Sequence, residues 1–311
     1  MILAMCCSHD AVLLARLVSC SRQSMQALQA ISRTGTFFAS HPVTRSAPSK
    51  AWARWLFWQV RSRLRREIVV NWIEGQKLAV RRDMTGATGN IYTGLHEFDG
   101  MMPPLHFLRR GDLFLDVGAN IGSFTVLASG VAAATTWSFE PDPETVLALM
   151  RNIALNGLTD LALVHEFALG DEDGTVAFTR GQDTTNHVTT TADTNMQIVR
   201  QKRLDSIIGD DNPIMMKVDV EGHEDAFIRG AANTISNASL KLIELESYSE
   251  ESLSFLTGLG FERTFYDPIN RTLSAIPIKG SKSNDIFVRD REFVAARLRG
   301  ARNINVLGQL Y

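Results

Sequence analysis

The sequence has almost no cysteine where a folded core would form. Its three cysteines, Cys6, Cys7 and Cys20, all precede residue 21 of the 311. The rest of the chain can therefore form neither a disulfide framework nor a thiolate metal site, which is typical of proteins in a reducing cytoplasm. Apolar runs of the roughly 18 residues that a transmembrane helix requires are also absent. We therefore expect a cytoplasmic protein with at most peripheral contact to the inner membrane face.

Acidic residues are scarce at the start of the chain and abundant after it. Residues 1–82 hold 13 Lys/Arg against 3 Asp/Glu, whereas residues 83–311 hold 19 against 31. The acidic larger part disfavours phosphate binding, so we expect no nucleic-acid partner. The difference in charge also suggests separate units. We expect a disordered extension over 1–48, an N-terminal helix, hairpin and cap segment over 49–110, a main domain over 111–290, and a C-terminal helix and tail over 291–311.

Residues 51–67 combine aromatic and aliphatic side chains with arginines at helical spacing. Such a helix can lie on an anionic membrane surface, which predicts peripheral membrane contact through 51–67. The other interpretation, which we prefer at this stage, is a helix that packs on the main domain with its arginines in solvent.

The chain is organised around the stretch FLDVGANIGSFTVLAS, residues 114–129. An apolar run, then small residues, then helical periodicity predict a strand, a glycine turn and a helix. A dinucleotide site requires G-x-G-x-x-G, and this stretch offers only G-x-N-x-G. Asp116, two positions before Gly118, suits a cationic amino group better than a pyrophosphate.

Strands and helices alternate along the main domain, which predicts a mostly parallel sheet with helices on both faces and an antiparallel element at one edge. Ligands of such sheets bind at the carboxyl ends of the strands. Glu140 ends the second strand, where a carboxylate can accept hydrogen bonds from both ribose hydroxyls of a nicotinamide or an S-adenosylmethionine (SAM) cofactor.

The fourth strand ends in KVDVEGHE, residues 217–224, which brings Asp219, Glu221, His223 and Glu224 together. Crowded carboxylates can raise a pKa or hold a cation. They can also simply favour the N-terminus of the next helix. His187, in a loop rich in Thr, Asn and Asp, would reach the same side of the sheet.

Four ordered motifs now support a family resemblance. FLDVGANIGSFTVLAS, SFEPDPETVLALMRNIALN, ALGDEDG and KVDVEGHEDAFIRGA resemble the FkbM-type SAM-dependent methyltransferases, over about residues 90–290. The resemblance implies a Rossmann-like class I methyltransferase fold, with a mostly parallel seven-stranded sheet, one antiparallel edge strand and helices on both faces. It implies methyl transfer from SAM to a hydroxyl of a sugar, glycolipid, polysaccharide or related alcohol. The implied cofactor-binding residues are Asp116, Gly118, Asn120, Gly122, Glu140, Ala168 and Asp171.

A sugar hydroxyl is weakly acidic, so a general base within hydrogen-bond reach helps the transfer. The candidates are Asp219, Glu221, His187 and His223, with Asp219 or Glu221 preferred. We assign no metal ligands, although these carboxylates with Glu244 or Glu246 leave Mg²⁺ as an open alternative. Alternative functions are an NAD(P)-dependent oxidoreductase, a nucleic-acid methyltransferase that uses the basic residues 50–82, and a membrane-associated binding module. No oligomeric state is indicated.

Overall fold

The structure of the protein, a computed structural model, describes residues 29–82, 84–179, 187–188, 196–278 and 284–311. The expected disordered extension over 1–48 is wrong for its last part, because residues 29–40 form a helix, α1. The Phe38 side chain of α1 is fully buried and meets the Trp52 ring edge-on at 5.3 Å. Burial of this ring ties the segment to the rest of the fold. Residues 1–28, the remainder of the predicted extension, lie outside the described residues.

The N-terminal part is a helix, a hairpin and two further helices. The hairpin strands pair antiparallel around a 3-10 turn, Ile73–Gly75. The elements are α2 (Pro48–Leu64), β1 (Glu67–Asn71), β2 (Lys77–Arg81), α3 (Thr85–Thr93) and α4 (Phe98–Phe107). Within the described residues, no helix is both long enough and apolar enough to cross a membrane.

The main sheet has eight strands in the order β12-β11-β13-β10-β9-β3-β4-β5. The first of these strands along the chain, β3, lies inside the sheet between β9 and β4, so its carboxyl end opens between the ends of these neighbours. The strands are β3 (Leu113–Val117), β4 (Thr135–Phe139), β5 (Ala162–His165), β9 (Met215–Val218), β10 (Leu242–Leu245), β11 (Glu262–Asp267), β12 (Thr272–Ser274) and β13 (Asp285–Val288).

The predicted α/β fold with a mostly parallel sheet is confirmed, and two details differ from the prediction. β13 runs antiparallel to both of its neighbours and lies between β10 and β11 instead of at the edge. The edge is an eighth strand, β12, which forms a hairpin with β11. No helix separates β11 from β12, so a short turn can join these two strands in antiparallel pairing.

Helices cover both faces of the sheet, because alternate residues of the central strands point in opposite directions. Phe114, Met215 and Leu242 belong to a core with α4 and α10, while Leu115, Met216 and Ile243 belong to a core with α7, α8 and α9. The helices that follow α4 are α5 (Ser123–Val126, continued by a π-helical turn, Leu127–Val131), α6 (Pro143–Leu155), α7 (Glu224–Gly230), α8 (Ala232–Ser236), α9 (Glu250–Gly258) and α10 (Arg291–Arg299).

Two small β elements complete the fold. A three-stranded sheet, in the order β6-β8-β7, lies next to β5 in the chain and consists of β6 (Ala168–Leu169), β7 (Gly174–Thr179) and β8 (Met196–Lys202). A C-terminal hairpin is formed by β14 (Asn305–Val306) and β15 (Gln309–Leu310). The predicted division into segments at 48, 110 and 290 stays a prediction.

The turn after β3 requires glycine at position 118 for two reasons. Gly118 has φ +79°, which side chains with a Cβ rarely adopt. A Cβ built on it would also lie 1.9 Å from the carbonyl oxygen of Asp219, in the loop after β9. This contact joins the two loops that follow neighbouring strands β3 and β9.

We expect Gly118→Ala to destabilise the protein more than Gly157→Ala does. Gly157 also has a positive φ, +66°, but nothing lies within 4 Å of its Cβ position. In both variants an alanine must adopt the left-handed conformation, which reduces the free energy of unfolding by about 1–2 kcal/mol. Only Gly118→Ala also introduces the clash with the Asp219 carbonyl oxygen. Urea unfolding measures both free energies of unfolding. Equal losses in the two variants would contradict the close approach of the loops.

Candidate active site

A cavity of about 400 Å³ opens at the carboxyl ends of β3, β4, β9 and β10. This volume lies within the range of roughly 300–1,000 Å³ that is usual for small-molecule and cofactor pockets. Its walls come from the glycine turn, the ends of β4 and β9, the start of the small sheet and the N-terminal helices α3 and α4. It is the place where ligands of open α/β sheets bind.

The glycine turn is held in place by backbone hydrogen bonds. The N–H groups of Gly118 and Ala119 both donate to the carbonyl oxygen of Phe139, at 3.0 and 2.9 Å. Asn120, with φ +49°, donates its N–H to Glu140 Oε2 at 3.0 Å. Gly118 and Asn120 line the cavity, whereas Gly122 lies behind the turn, where a Cβ would meet Leu149 at 2.5 Å. Of the three turn residues expected at the cofactor, two therefore face the cavity.

Glu140 lines the cavity at the end of β4 and is 6% exposed. Its Oε2 accepts from Asn120 N–H and its Oε1 accepts from Asp142 N–H, both at 3.0 Å. Burial raises the pKa of Glu140 to about 7, against the lowering effect of these two donors. The fixed carboxyl group can still accept hydrogen bonds from a diol, since each oxygen keeps a free lone pair.

Asp116 lies beneath the cavity and does not line it. Its side chain is fully buried within β3, where Oδ2 accepts from the Thr125 hydroxyl at 2.6 Å and Oδ1 has no hydrogen-bond partner among the described residues. Burial raises its pKa, and the Lys217 ammonium opposes that shift. A neutral or shielded carboxyl group at this depth supports the turn from below, and the expected contact of Asp116 with the cofactor stays a prediction.

One end of the cavity is apolar and aromatic. Ala168, expected near an adenine, lines it together with Phe139, Phe167 and Leu169. Phe139 is stacked in turn on His165, with ring centroids 4.7 Å apart. A flat, buried surface of this kind suits a purine.

Asp171, the other residue expected near the adenine, is not brought to the cavity. It is exposed and binds Arg229 of α7, with Oδ2 at 3.0 Å from Nε and 2.7 Å from Nη2. This hydrogen-bonded pair lowers the pKa of Asp171. The carboxylate therefore serves the contact between α7 and the loop after β6.

The opposite end of the cavity is polar and centres on Lys217. The Lys217 Nζ atom lies 2.9 Å from Asp219 Oδ2 and 4.5 Å from the centre of the Phe124 ring. Burial alone would lower the pKa of Lys217, but the carboxyl groups of Asp219, Asp116 and Glu97 outweigh burial and raise it. Lys217 therefore stays charged at neutral pH.

The Lys217 charge divides the carboxyl groups around it into two types. Burial would raise the pKa of Asp219, but Lys217 and a hydrogen bond with Glu246 hold it below its ordinary value. Burial and the hydrogen bond to Asp219 raise the pKa of Glu246 to about 8. At neutral pH the proton between them therefore belongs to Glu246, and Asp219 is the carboxylate.

Glu221 reaches the cavity from the tight turn after β9. It has φ +51°, an unusual conformation for a residue with a side chain, and it is followed by Gly222 at +91°. Burial, then the charges of Asp219 and Glu224, raise the pKa of Glu221, and His187 opposes the shift by its positive potential. The structure thus brings His187, from the distant loop, close to Glu221.

The other two groups of KVDVEGHE have different surroundings. His223 lines the cavity, and its Nε2 lies 3.1 Å from Gln201 Oε1. Burial lowers its pKa, so the ring is neutral at neutral pH. Glu224 turns inward instead: Oε1 accepts from the N–H groups of Val220 and Gly222, and Oε2 accepts from the Ser247 hydroxyl at 2.6 Å. Glu224 therefore fixes the loop.

Comparison with known proteins agrees with this geometry. Residues 116–263 match the family described as the methyltransferase FkbM domain. Over this part, just under half of its length, the chain resembles the FkbM-type methyltransferases. The match includes the glycine turn, Glu140 and the whole 217–224 segment, and so confirms the resemblance that the motifs indicate.

A curated relative is the hexuronic acid methyltransferase AglP of Haloferax volcanii, with 27% identity over 142 residues. The alignment covers 45% of this chain and 58% of that protein, so the chain spans little more than half the length of the relative.

Solved structures include an rRNA methylase from Streptococcus thermophilus (TM-score 0.37, 7% identity, 61% of this chain and 92% of that one). Another is a precorrin-6y C5,15-methyltransferase from Geobacter metallireducens (TM-score 0.33, 11% identity, 60% and 82%). At these TM-scores the likeness carries no functional argument.

Several cavity residues are not among those that the sequence predicts for the site. Asn90 and His96 come from α3 and the loop after it, Glu97 from the start of α4, and Asn284 from the start of β13. Lys217 and Glu246 lie at strand ends, but the sequence does not indicate that Lys217 pairs with a carboxylate. The sequence could indicate that Lys217 and Glu246 belong to the site only through their positions on neighbouring strands of the predicted sheet.

The donor set at this end does not support a Mg²⁺ site. One oxygen each of Asp219, Glu221 and Glu246 lies within 4.8 Å of the others. However, Lys217 already occupies Asp219 Oδ2, and Glu246 holds a proton at neutral pH. Glu244, the other residue considered for Mg²⁺, is fully buried and does not line the cavity.

The expected ribose role of Glu140 predicts that cofactor affinity depends on pH. The ionised carboxylate accepts hydrogen bonds from both hydroxyls, so binding should strengthen as Glu140 loses its proton. With a pKa of about 7, the affinity for S-adenosylhomocysteine should rise by about tenfold between about pH 6 and about pH 8. Isothermal titration calorimetry at each pH measures this dependence.

The matched variants for this experiment are Glu140→Gln and Glu166→Gln, the latter at an exposed position. Glu140→Gln should bind more weakly and show no rise with pH, whereas Glu166→Gln should behave as wild type. A flat wild-type profile would contradict the role given to Glu140.

Proposed function

We propose that the protein is a SAM-dependent O-methyltransferase that acts on a hydroxyl group of a neutral sugar-type acceptor. The observation that carries this proposal is the division of one cavity into two ends within an FkbM domain. One end has the aromatic wall and the Glu140 carboxyl group, and the other has a buried ammonium and a set of carboxyl groups.

The first end fits SAM. The apolar wall around Ala168 and Phe139 would cover the adenine, and Glu140 would accept the ribose hydroxyls. The glycine turn would lie along the methionine part, with Gly118 and Asn120 facing it. SAM, when bound, supplies a methyl group that is already activated by the sulfonium. The chain then has to align the acceptor oxygen and remove its proton.

Glu221 is the best-placed general base among the four candidates. Asp219 is a weak proton acceptor because Lys217 lowers its pKa, and Glu246 already holds a proton. Glu221 lines the cavity, its pKa is raised above its ordinary value, and His187 opposes that shift electrostatically. Its left-handed backbone conformation costs about 1 kcal/mol, which a purely structural turn would avoid by placing glycine there. We assign Asp219 with Lys217 to orient the acceptor.

The charge at the polar end favours a neutral acceptor over an anionic one. Among the described residues, Glu97, Asp219, Glu221 and Glu246 line it with a single ammonium, that of Lys217, which Asp219 already neutralises. A carboxylate on the acceptor would meet like charges at close range. The relative AglP is named for a hexuronic acid, so the acceptor of this protein would differ in charge from that one.

Calorimetric titration with S-adenosylhomocysteine, NADH and NADPH tests the cofactor assignment. We expect micromolar binding of S-adenosylhomocysteine and no heat from either nicotinamide nucleotide. Binding of NADH or NADPH instead would overturn the proposal and make the oxidoreductase alternative the correct one.

Glu221→Gln tests the assignment of the base. The variant should keep the affinity for S-adenosylhomocysteine within about twofold but lose about 10²–10⁴-fold in kcat, because only the proton acceptor is removed. The assay measures methyl transfer from SAM to neutral glycosides and to uronates. Glu251→Gln, an exposed glutamate of α9, is the control and should keep full activity.

Two results would contradict this assignment. Wild-type kcat in Glu221→Gln would remove Glu221 as the base. Turnover by the wild-type protein with uronates alone would refute the neutral acceptor while it leaves the cofactor assignment intact.

A further inference from the structure

Helix α2 has an apolar face that the rest of the described structure does not cover. Leu56, Val60 and Leu64 follow one another at intervals of four residues and so lie along one side of the helix. They are 59%, 54% and 78% exposed, and Phe57 beside them is 54% exposed. Exposed large apolar side chains are ordinary when scattered singly, but a contiguous stripe marks a contact surface.

The opposite side of α2 already holds the helix on the protein. Ala51 and Trp58 are buried, and the Arg54 Nε atom donates to the Tyr92 carbonyl oxygen at 2.7 Å. The two interpretations of this helix, packing on the main domain and contact with a membrane, are therefore compatible, because only one side of α2 packs on the fold. The apolar stripe is a second face, and packing within the described structure does not explain it.

Positive charge surrounds the stripe. Residues 48–66 contain six Lys/Arg and no Asp/Glu, namely Lys50, Arg54, Arg61, Arg63, Arg65 and Arg66. Arg61 lies over the Phe57 ring at 5.0 Å, and Arg63 donates to Gln59 Oε1 at 3.0 Å. Arginine stems can cover apolar surface while their guanidinium groups reach the polar layer of a membrane.

We propose that the exposed face of α2 docks the protein on an anionic membrane surface. Leu56, Phe57, Val60 and Leu64 would enter the boundary of headgroups and acyl chains, and the arginines would meet lipid phosphates. Charge selects this partner. A second copy of the chain would bring the same arginines against each other, and nucleic acid would match the arginines but leave the aliphatic stripe without a partner.

Docking would also place the active-site cavity near the bilayer. Helix α3 packs against α2 and supplies Gly86, Ala87 and Asn90 to the cavity wall. Two helices, α2 and α3, each about 10 Å across, therefore lie between the docked face and the cavity. This inference rests on the surface of α2 and not on the proposed reaction, so either can fail without the other.

Co-sedimentation of the full-length protein with vesicles tests the proposal. We expect binding to vesicles of phosphatidylcholine mixed with phosphatidylglycerol, and none to phosphatidylcholine alone. Added salt should weaken the binding, because surface charges are screened. Binding that is equal for both vesicle types, or absent for both, would overturn the proposal.

Three variants separate the contributions of the face. Leu56→Asn with Leu64→Asn should weaken binding about tenfold or more, since both side chains lose apolar contact with lipid. Arg61→Gln with Arg63→Gln should weaken it about fivefold per arginine. Leu147→Asn, a leucine of α6 that is 69% exposed, is the matched control and should bind as wild type.

Two further outcomes would assign the face to another occupant. A concentration-dependent dimer in sedimentation velocity that the leucine variant dissolves would show a self-association surface. RNA binding that the arginine variant loses and the leucine variant keeps would show a nucleic-acid surface. Either result would overturn membrane docking if the leucine variant also bound vesicles as well as the wild-type protein does.

Discussion

The site depends on one buried ammonium group. Lys217 stands on β9 in register with Asp116 on β3 and with Glu244 on β10, so three ionisable side chains lie abreast across the centre of the sheet. An unpaired charge at this depth costs several kcal/mol, and one ammonium can balance only one carboxylate. Burial resolves the conflict, because it raises the pKa of Asp116 and of Glu244 and favours their neutral forms. Asp219, 2.9 Å from Lys217, carries the balancing charge.

The charge distribution of the cavity follows from this pairing. Since Lys217 fixes Asp219 at the end of β9, the Asp219 carbonyl oxygen lies where only a glycine at 118 can approach it. The same ionised Asp219 leaves the shared proton on Glu246 and raises the pKa of Glu221. The turn that contains Glu221 and the turn that contains Gly118 thus meet at the contact between Gly118 and the Asp219 carbonyl oxygen. A change at Lys217 would therefore alter the fold and the proton-accepting groups together.

The sequence predicts the part of the site that depends on local pattern. The strand, turn and helix around Gly118, and Glu140 at the end of the next strand, follow from periodicity and from the rule that ligands bind at strand ends. The motif predicts a cofactor contact for Asp116, whereas β3 continues through Val117 and buries the Asp116 side chain beneath the cavity. Asp171 lies outside the cavity lining and pairs with Arg229, which is 58 residues away in the chain. A contact of that kind leaves no local signal.

The polar end of the cavity shows why the substrate of a relative cannot be assigned to this protein. Residues 116–263, the FkbM match, supply Glu140, Asp219 and Glu221, whereas Asn90, Glu97 and Asn284 lie outside that match. The end that would hold the cofactor thus comes from the matched part of the chain, and the wall that an acceptor would contact comes partly from outside it. A shared domain constrains the methyl donor and the base. In the proposed reaction, the charge and shape that the acceptor meets would come from α3, α4 and the residue before β13 as well as from Asp219 and Glu221.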